Sequence, residues 1–203
     1  MYNETRDLVN IAVMFRKNEV RITILRHGKP DFEWERSVRG SDFRWLESAY
    51  ESAGIVGTPP KILDRLVDSH NVVICSDLPR SIESTKALGA KTIHVSSPIF
   101  REMNLPYFNE VSVKLPLKLW VIFLRSAWFL GFSRNTESFS SAKSRAKEAS
   151  NQLVELAAQH NSVLFIGHGF LNHYVAKELI ANNWVGPRTP GKKYWEYGTY
   201  EYV

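Results

Sequence analysis

Two stretches of this chain share one form, and together they leave few folds open. Ile22-Thr23-Ile24-Leu25-Arg26-His27-Gly28 is an apolar, β-branched run that ends in a cation, an imidazole and a glycine. Ser162-Val163-Leu164-Phe165-Ile166-Gly167-His168-Gly169 follows the same plan, an apolar run closed by His-Gly. Short runs of this kind read as buried strands. In open α/β sheets, ligands bind beyond the carboxyl ends of the strands, which is where both histidines fall. With Arg26 beside the first, the pair suggests a pocket of two imidazoles with an anion between them.

The intervening chain alternates strands and helices. Helical spacing at Leu8, Ile11, Ala12 and Phe15 marks residues 1–20 as a peripheral arm. Asp42 is placed to cap a helix running to Ala53, with Trp45, Leu46, Ala49 and Tyr50 inward, and a short helix through Leu63 and Leu66 follows. Asn71 to Cys75 is a second strand. Ser76 or Asp77 then caps a helix that Pro79 starts and Gly89 ends, putting Arg80 in its first turn. Thr92 to Val95 is a third strand, with Phe100 to Pro106 a loop behind it. Ser138 to His160 reads as a long amphipathic helix with Ala142, Ala146, Ala149, Leu153, Leu156 and Ala157 inward. Leu171 to Asn183 is helical, and Tyr194 to Val203 alternates as a last strand. This order implies an α/β domain of three layers, a mostly parallel sheet flanked by helices. One domain over residues 1–203 is expected, with an inserted cap at 106–136.

Several function classes drop out on composition. A net charge of +5 is spread over the chain with no long basic run, so nucleic acid is not an expected partner. Cys75 is the only cysteine and sits in an apolar run, which excludes an intrachain disulfide and a cysteine-based zinc site. His168 and His173 are badly spaced as ligands on one helix face, and no metal site is read there. The first residues lack a basic segment followed by an apolar one, so the expected compartment is the cytoplasm. No run of about 18 apolar residues occurs, so no transmembrane helix is expected.

The segment Leu115 to Phe132, LPLKLWVIFLRSAWFLGF, is too short for a span and carries Arg125 in its middle. The preferred reading is a cap over the pocket. A homodimer face, or a helix lying in a membrane interface with Lys114, Lys118 and Arg134 at its flanks, are the alternatives. A cap of this kind makes the entrance apolar and aromatic, suiting a hydrophobic or ring-bearing ligand.

Four ordered elements resemble the histidine phosphatase (phosphoglycerate-mutase-like) superfamily. They are Arg26-His27-Gly28, the segment Ser76-Asp77-Leu78-Pro79-Arg80-Ser81 with Ser84 and Thr85, Arg101-Glu102, and Gly167-His168-Gly169. Gly40, after an arginine-bearing loop, fits as well. The resemblance runs from Arg21 to Leu179 and implies a phosphatase working on a small-molecule phosphoester without metal or other cofactor. It implies His27 as nucleophile, Arg26, Arg80 and a protonated His168 as phosphate ligands, and Glu102 as the acid that serves the leaving oxygen.

Chemistry supports these residue types. Phosphoryl transfer is mostly positioning and neutralising charge, which guanidinium forks do well. A neutral imidazole can attack phosphorus and form a phosphohistidine, provided its other ring N–H has an acceptor, expected near Gly28. A proton donor is needed at the leaving oxygen, which asks for a carboxyl with its pKa raised. Pro30 and Glu33 depart from the best-known branch, where threonine and asparagine stand, and Arg36 or Arg39 are the expected compensation. The mutase-like continuation after Glu102 is missing, which favours a phosphatase over the alternatives, a phosphomutase or a non-catalytic phospho-ligand or partner-binding module.

Overall fold

The computed structural model describes residues 20–202. The arm expected over 1–19 lies outside the described residues, and Val20, counted with it, opens the first strand. Eight strands are present among the described residues: β1 (Val20–Arg26), β2 (Ser37–Arg39), β3 (Val72–Ser76), β4 (Val95–Ser97), β5 (Lys114–Pro116), β6 (Ser162–Gly167), β7 (Trp184–Val185) and β8 (Tyr197–Tyr202). Six of them make one sheet in the order β4-β3-β6-β1-β8-β7, while β2 and β5 pair separately. The contacts β4–β3, β3–β6 and β6–β1 are parallel, and those of β8 with β1 and β7 are antiparallel. The sheet is mostly parallel, as the alternation of elements implies.

Period-two alternation along the central strands builds two cores. Ile24, Ile74 and Phe165 enter one cluster, whereas their neighbours Leu25, Cys75 and Ile166 enter the other. Helices α1 (Phe43–Ser52), α2 (Pro79–Ala87), α3 (Leu117–Phe129), α4 (Phe139–His160) and α5 (Gly169–Ala181) surround the sheet. On the first face, α4 lays down Ala142, Ala146, Ala149, Leu153 and Ala157, all without solvent exposure, and Leu156 is partly buried. Alanine on that stripe lets α4 approach β1 and β6 closely, and Ser138 caps the helix by accepting from the Ser141 amide.

Several local expectations are corrected. Trp45 is 62% exposed and Phe43 is buried in its place, because the inward stripe of α1 follows Phe43, Leu46 and Tyr50. Gly40–Asp42 forms a 3-10 turn into this helix, and Asp42 accepts from the Arg39 amide rather than capping α1. The residue at the start of α2 is Leu78, since Asp77 is held in a bidentate pair with Arg101 at 2.6 and 2.7 Å. Ser76 Oγ instead accepts from the Leu78 amide. The third strand begins where it was expected to end. His94 stays outside it, accepting at Nδ1 from the Val73 amide while its own amide bonds the Val73 carbonyl. At the other end, Tyr194 to Glu196 form a turn ahead of β8, not its first residues.

A third cluster stands apart from the sheet. Val38, Phe43, Leu46, Trp120 and Leu124 are buried together where α3 packs against α1 and β2. Residues of the 106–136 segment thus make their own apolar contacts beside the sheet ends.

Candidate active site

Strand order decides which residues meet. Because β6 lies between β3 and β1, three parallel strands deliver their carboxyl ends side by side. Arg26 pairs in register with Gly167, and the His27 amide donates to the Gly167 carbonyl at 3.0 Å. His27 and His168 therefore face each other across the β1–β6 seam, their ring centroids 4.9 Å apart. Both are buried.

Helix α2 is bound to these strand ends through hydroxyls. Ser81 donates to the Ile166 carbonyl and accepts from the Ser76 amide, and Ser84 accepts from the Gly28 amide at 2.8 Å. That docking holds Arg80 beside the strand ends, 1% exposed, with Nη1 on the Tyr50 carbonyl at 2.9 Å and its guanidinium 4.3 Å from the Tyr50 ring. Gly28 has no room for a side chain: a Cβ there would meet the Trp195 indole at 2.3 Å.

The imidazoles are set differently. His27 Nδ1 bonds the Gly28 carbonyl at 2.7 Å, so Nδ1 carries the proton and Nε2 keeps a free lone pair. Burial, then the charge of Arg80, pushes its pKa from 6.5 down to about 3. His168 Nε2 lies 2.7 Å from Ser76 Oγ. That hydroxyl accepts from the Leu78 N–H, and with its own proton given to Nε2 the His168 proton sits on Nδ1. Nδ1 is buried and has no partner in the protein. Burial, then His27, Arg80, Arg26 and Arg145, drives His168 well below its ordinary pKa, which favours a neutral ring over the protonated one expected from the sequence. The neutral ring still offers one N–H.

Cations around these rings have no carboxylate in direct contact among the described residues, and only the more distant charges of Glu102 and Glu51 act on Arg80. Arg80 and Arg26 each have a buried Nε without a partner, and neither forms an ion pair with a carboxylate among the described residues. Desolvation lowers the Arg80 pKa accordingly. A buried guanidinium with no counter-charge is costly, and an anionic ligand removes that cost.

Glu102 reaches the same place by a separate route. Arg145 donates to the carbonyls of Ile99, Arg101 and Glu102 and pairs with Glu137, which fixes the loop that carries it. The Glu102 carboxylate accepts from the Met103, Phe170 and Leu171 amides at 2.9 to 3.0 Å, the last two being in the first turn of α5. It lines two cavities together with Arg26. One, of about 300 Å³, is walled by Trp34, Phe43, Tyr50, Met103, Val121 and Arg125. The other, of about 450 Å³, is bordered by Phe170, His173 and Lys192.

Arg36 and Arg39 are exposed and line neither cavity. Arg125 of α3 is the cation that borders the aromatic one, while Glu33 is exposed and Pro30 is buried in a bridge to Ile55. Three further residues were not singled out from the sequence. Tyr194 lies 5.7 Å from the His27 ring and 4.6 Å from the Arg26 guanidinium, and Arg26 Nη1 donates to the Lys192 carbonyl beside it. Tyr50 covers Arg80. Glu47 lines the aromatic cavity with its pKa raised to about 7, first by burial and then by Glu51 one turn away. An i, i+4 pair of glutamates on the inward side of an apolar helix was the available signal for Glu47; nothing local pointed to Tyr194. No three His, Cys, Asp or Glu side chains gather into a possible metal-binding group among the described residues.

Among solved structures, the chain is similar to mycobacterial glucosyl-3-phosphoglycerate phosphatase, with 16% identity, TM-score 0.56 and 90% of each chain covered. A putative alpha-ribazole-5'-P phosphatase from Escherichia coli is 17% identical, with TM-score 0.53 over 79% of this chain and 80% of that one. Phosphoglycerate mutase from Bacillus anthracis is 18% identical, with TM-score 0.50 and 82% of each covered. At these identities the likeness is one of fold. No curated protein matches the chain. The family model of the histidine phosphatase superfamily, branch 1, runs over residues 22–189, from within β1 past β7. It takes in both His-Gly strand ends and the segments that meet between them, and the chain belongs to that superfamily.

Proposed function

We propose that the protein is a phosphatase that hydrolyses a phosphomonoester through a phosphohistidine, with no metal required. The observation that carries this reading is the buried Arg80 and half-buried Arg26, each with a buried Nε that has no partner, around two neutral imidazoles. Such a pocket is complete only with an anion in it. Arg26, Arg80 and the His168 Nδ1–H bind the three non-bridging oxygens, the work that metal ions do in other phosphoryl-transfer sites. His27 Nε2 attacks phosphorus as the ester P–O bond breaks, and a carboxyl gives its proton to the departing oxygen. Water then attacks the phosphohistidine, gives its proton to that carboxylate, and releases phosphate with His27 restored.

Glu102 is the assigned proton donor, since its carboxylate borders the pocket beside Arg26. A second reading rests on Glu47, which keeps its proton near neutral pH while Glu102 accepts from three backbone amides. The organic part of the substrate occupies the aromatic cavity, so its class is a phosphoester with an apolar or ring-bearing group. Segment 106–136 acts as the cap of this site.

The test is hydrolysis of an aryl phosphate in excess chelator. Wild type turns over, and His27→Ala loses about 10⁴-fold or more in kcat/KM, because the nucleophile has gone. Turnover abolished by chelator, or retained by His27→Ala, overturns the reading. Release of inorganic phosphate, rather than its transfer to another position, separates this activity from a mutase.

A further inference from the structure

Helix α3 is apolar on both sides. Trp120, Leu124 and Trp128 are buried against the rest of the protein. On the outward side Leu119, Ile122 and Phe123 are 53%, 64% and 53% exposed, and Leu130, just past the helix, is 89% exposed. These positions fall at i, i+3, i+4 and i+11 on one side of the helix, with the small Ser126 at i+7 between them. A helix face turned to water ordinarily carries polar side chains, so this stripe wants a cover.

Charge says which cover. From Val111 to Thr136 there is no Asp or Glu, whereas Lys114, Lys118 and Arg134 are exposed at the two ends of the stripe. Arg125 is turned inward, its guanidinium 4.0 Å from the Phe170 ring, and takes no part in this surface. A second copy docked by twofold symmetry would bring the cations at these ends against one another; of the flanking carboxylates Glu110 is exposed and Glu137 is taken up by Arg145. An anionic lipid surface meets both demands, taking the apolar side chains below the headgroups and the cations at them. The helix is 13 residues, about 20 Å long, and no described helix is long and apolar enough to cross a membrane, so the geometry is that of lying in the interface.

We propose that α3 docks the protein on an anionic membrane surface through Leu119, Ile122, Phe123 and Leu130, with Lys114, Lys118 and Arg134 at the headgroups. The four docking side chains line neither cavity at the active site, while Val121 and Arg125 of the same helix wall the aromatic one.

The experiment is co-sedimentation of the full chain with vesicles of phosphatidylcholine containing about 30% phosphatidylglycerol. Pelleting is expected with these vesicles, reduced at least tenfold with pure phosphatidylcholine. The I122D/F123D variant, changed only at exposed positions, is expected to lose pelleting by at least tenfold while keeping the wild-type circular dichroism. K114E/K118E is expected to lose the preference for anionic lipid. No pelleting of the full chain overturns the proposal, as does pelleting that I122D/F123D leaves unchanged. A wild-type dimer that the same variant converts to monomer, without any vesicle binding, assigns the stripe to a second copy and also overturns it.

Discussion

The two walls that meet at Arg26 are built on different principles. Ends of β1, β3 and β6 with α2 form a wall in which buried hydroxyls tie backbone to backbone, as at Ser81–Ile166 and Ser84–Gly28. Opposite, α1 and α3 form a wall of apolar and aromatic side chains, where the Trp120 indole on the Val38 carbonyl is one of few polar ties. Hydrogen-bonded polar networks fix positions to fractions of an ångström, while apolar contacts tolerate exchange of side chains of similar volume. The first wall therefore holds the geometry that a reaction needs, and the second suits a role in choosing which ester enters.

Breaking the first wall has the larger expected effects. Arg80→Met should lower kcat/KM by about 10²- to 10³-fold, as loss of one preorganised charge contact does. Inorganic phosphate at a hundredfold excess over its Kd should stabilise wild type by about 2.7 kcal/mol and the variant far less. Equal thermal shifts in the two proteins would show that the buried guanidinium is not where the anion binds.

The carboxyls come next. If Glu102 is the proton donor, Glu102→Gln should lower kcat by about 10²-fold on a substrate with a poor leaving group, and Glu47→Gln by much less. The reverse ranking, with a loss of the pH dependence near 7, assigns the proton to Glu47. An activated aryl phosphate should narrow either difference, since its leaving oxygen needs no proton.

A stability measurement probes the first wall without turnover. His27 has its pKa depressed from 6.5 to about 3 in the folded state, so between those values the unfolded chain binds the proton and the native one does not. Stability is then lost as pH falls through this window, His27 contributing up to about 1.4 kcal/mol per pH unit and the depressed His168 adding to the slope. His27→Asn should flatten that slope, and bound phosphate should reduce it. A wild-type slope identical to that of the variant would mean that the imidazole titrates freely.

The second wall should give the smallest effects. Val121→Ala enlarges the aromatic cavity by two methyl groups and should change the preference between bulky and small esters by about three- to tenfold. Rates on all esters falling together would instead mark Val121 as structural.

Much of this arrangement was legible in the chain itself. Arg26, His27, Arg80 and His168 were readable because each sits at a strand end or a helix start, where local pattern sets position. The Gly28 carbonyl as partner of His27 Nδ1 followed from what a neutral imidazole needs. Glu102 was identified by its segment, but its three amide bonds depend on where α5 begins. Trp45 was misplaced because helical spacing alone admits two neighbouring faces, and packing against α3 chose the one through Phe43 and Leu46.

What the sequence determined by itself is the central strands and the longer helices, the mostly parallel sheet they build and the residues at the ends of the central strands; the short strands β2, β5 and β7 were not read from it. Hydrophobic period and turn residues act over a few positions, and that range is enough for those features. Only the tertiary structure decided that Tyr194 packs beside His27, that Tyr50 covers Arg80, that Arg125 rather than Arg36 or Arg39 borders the cavity, and that the His168 ring is neutral. Each of these depends on groups distant in sequence sharing one desolvated volume, and both burial and Coulomb interaction are set by distance in space.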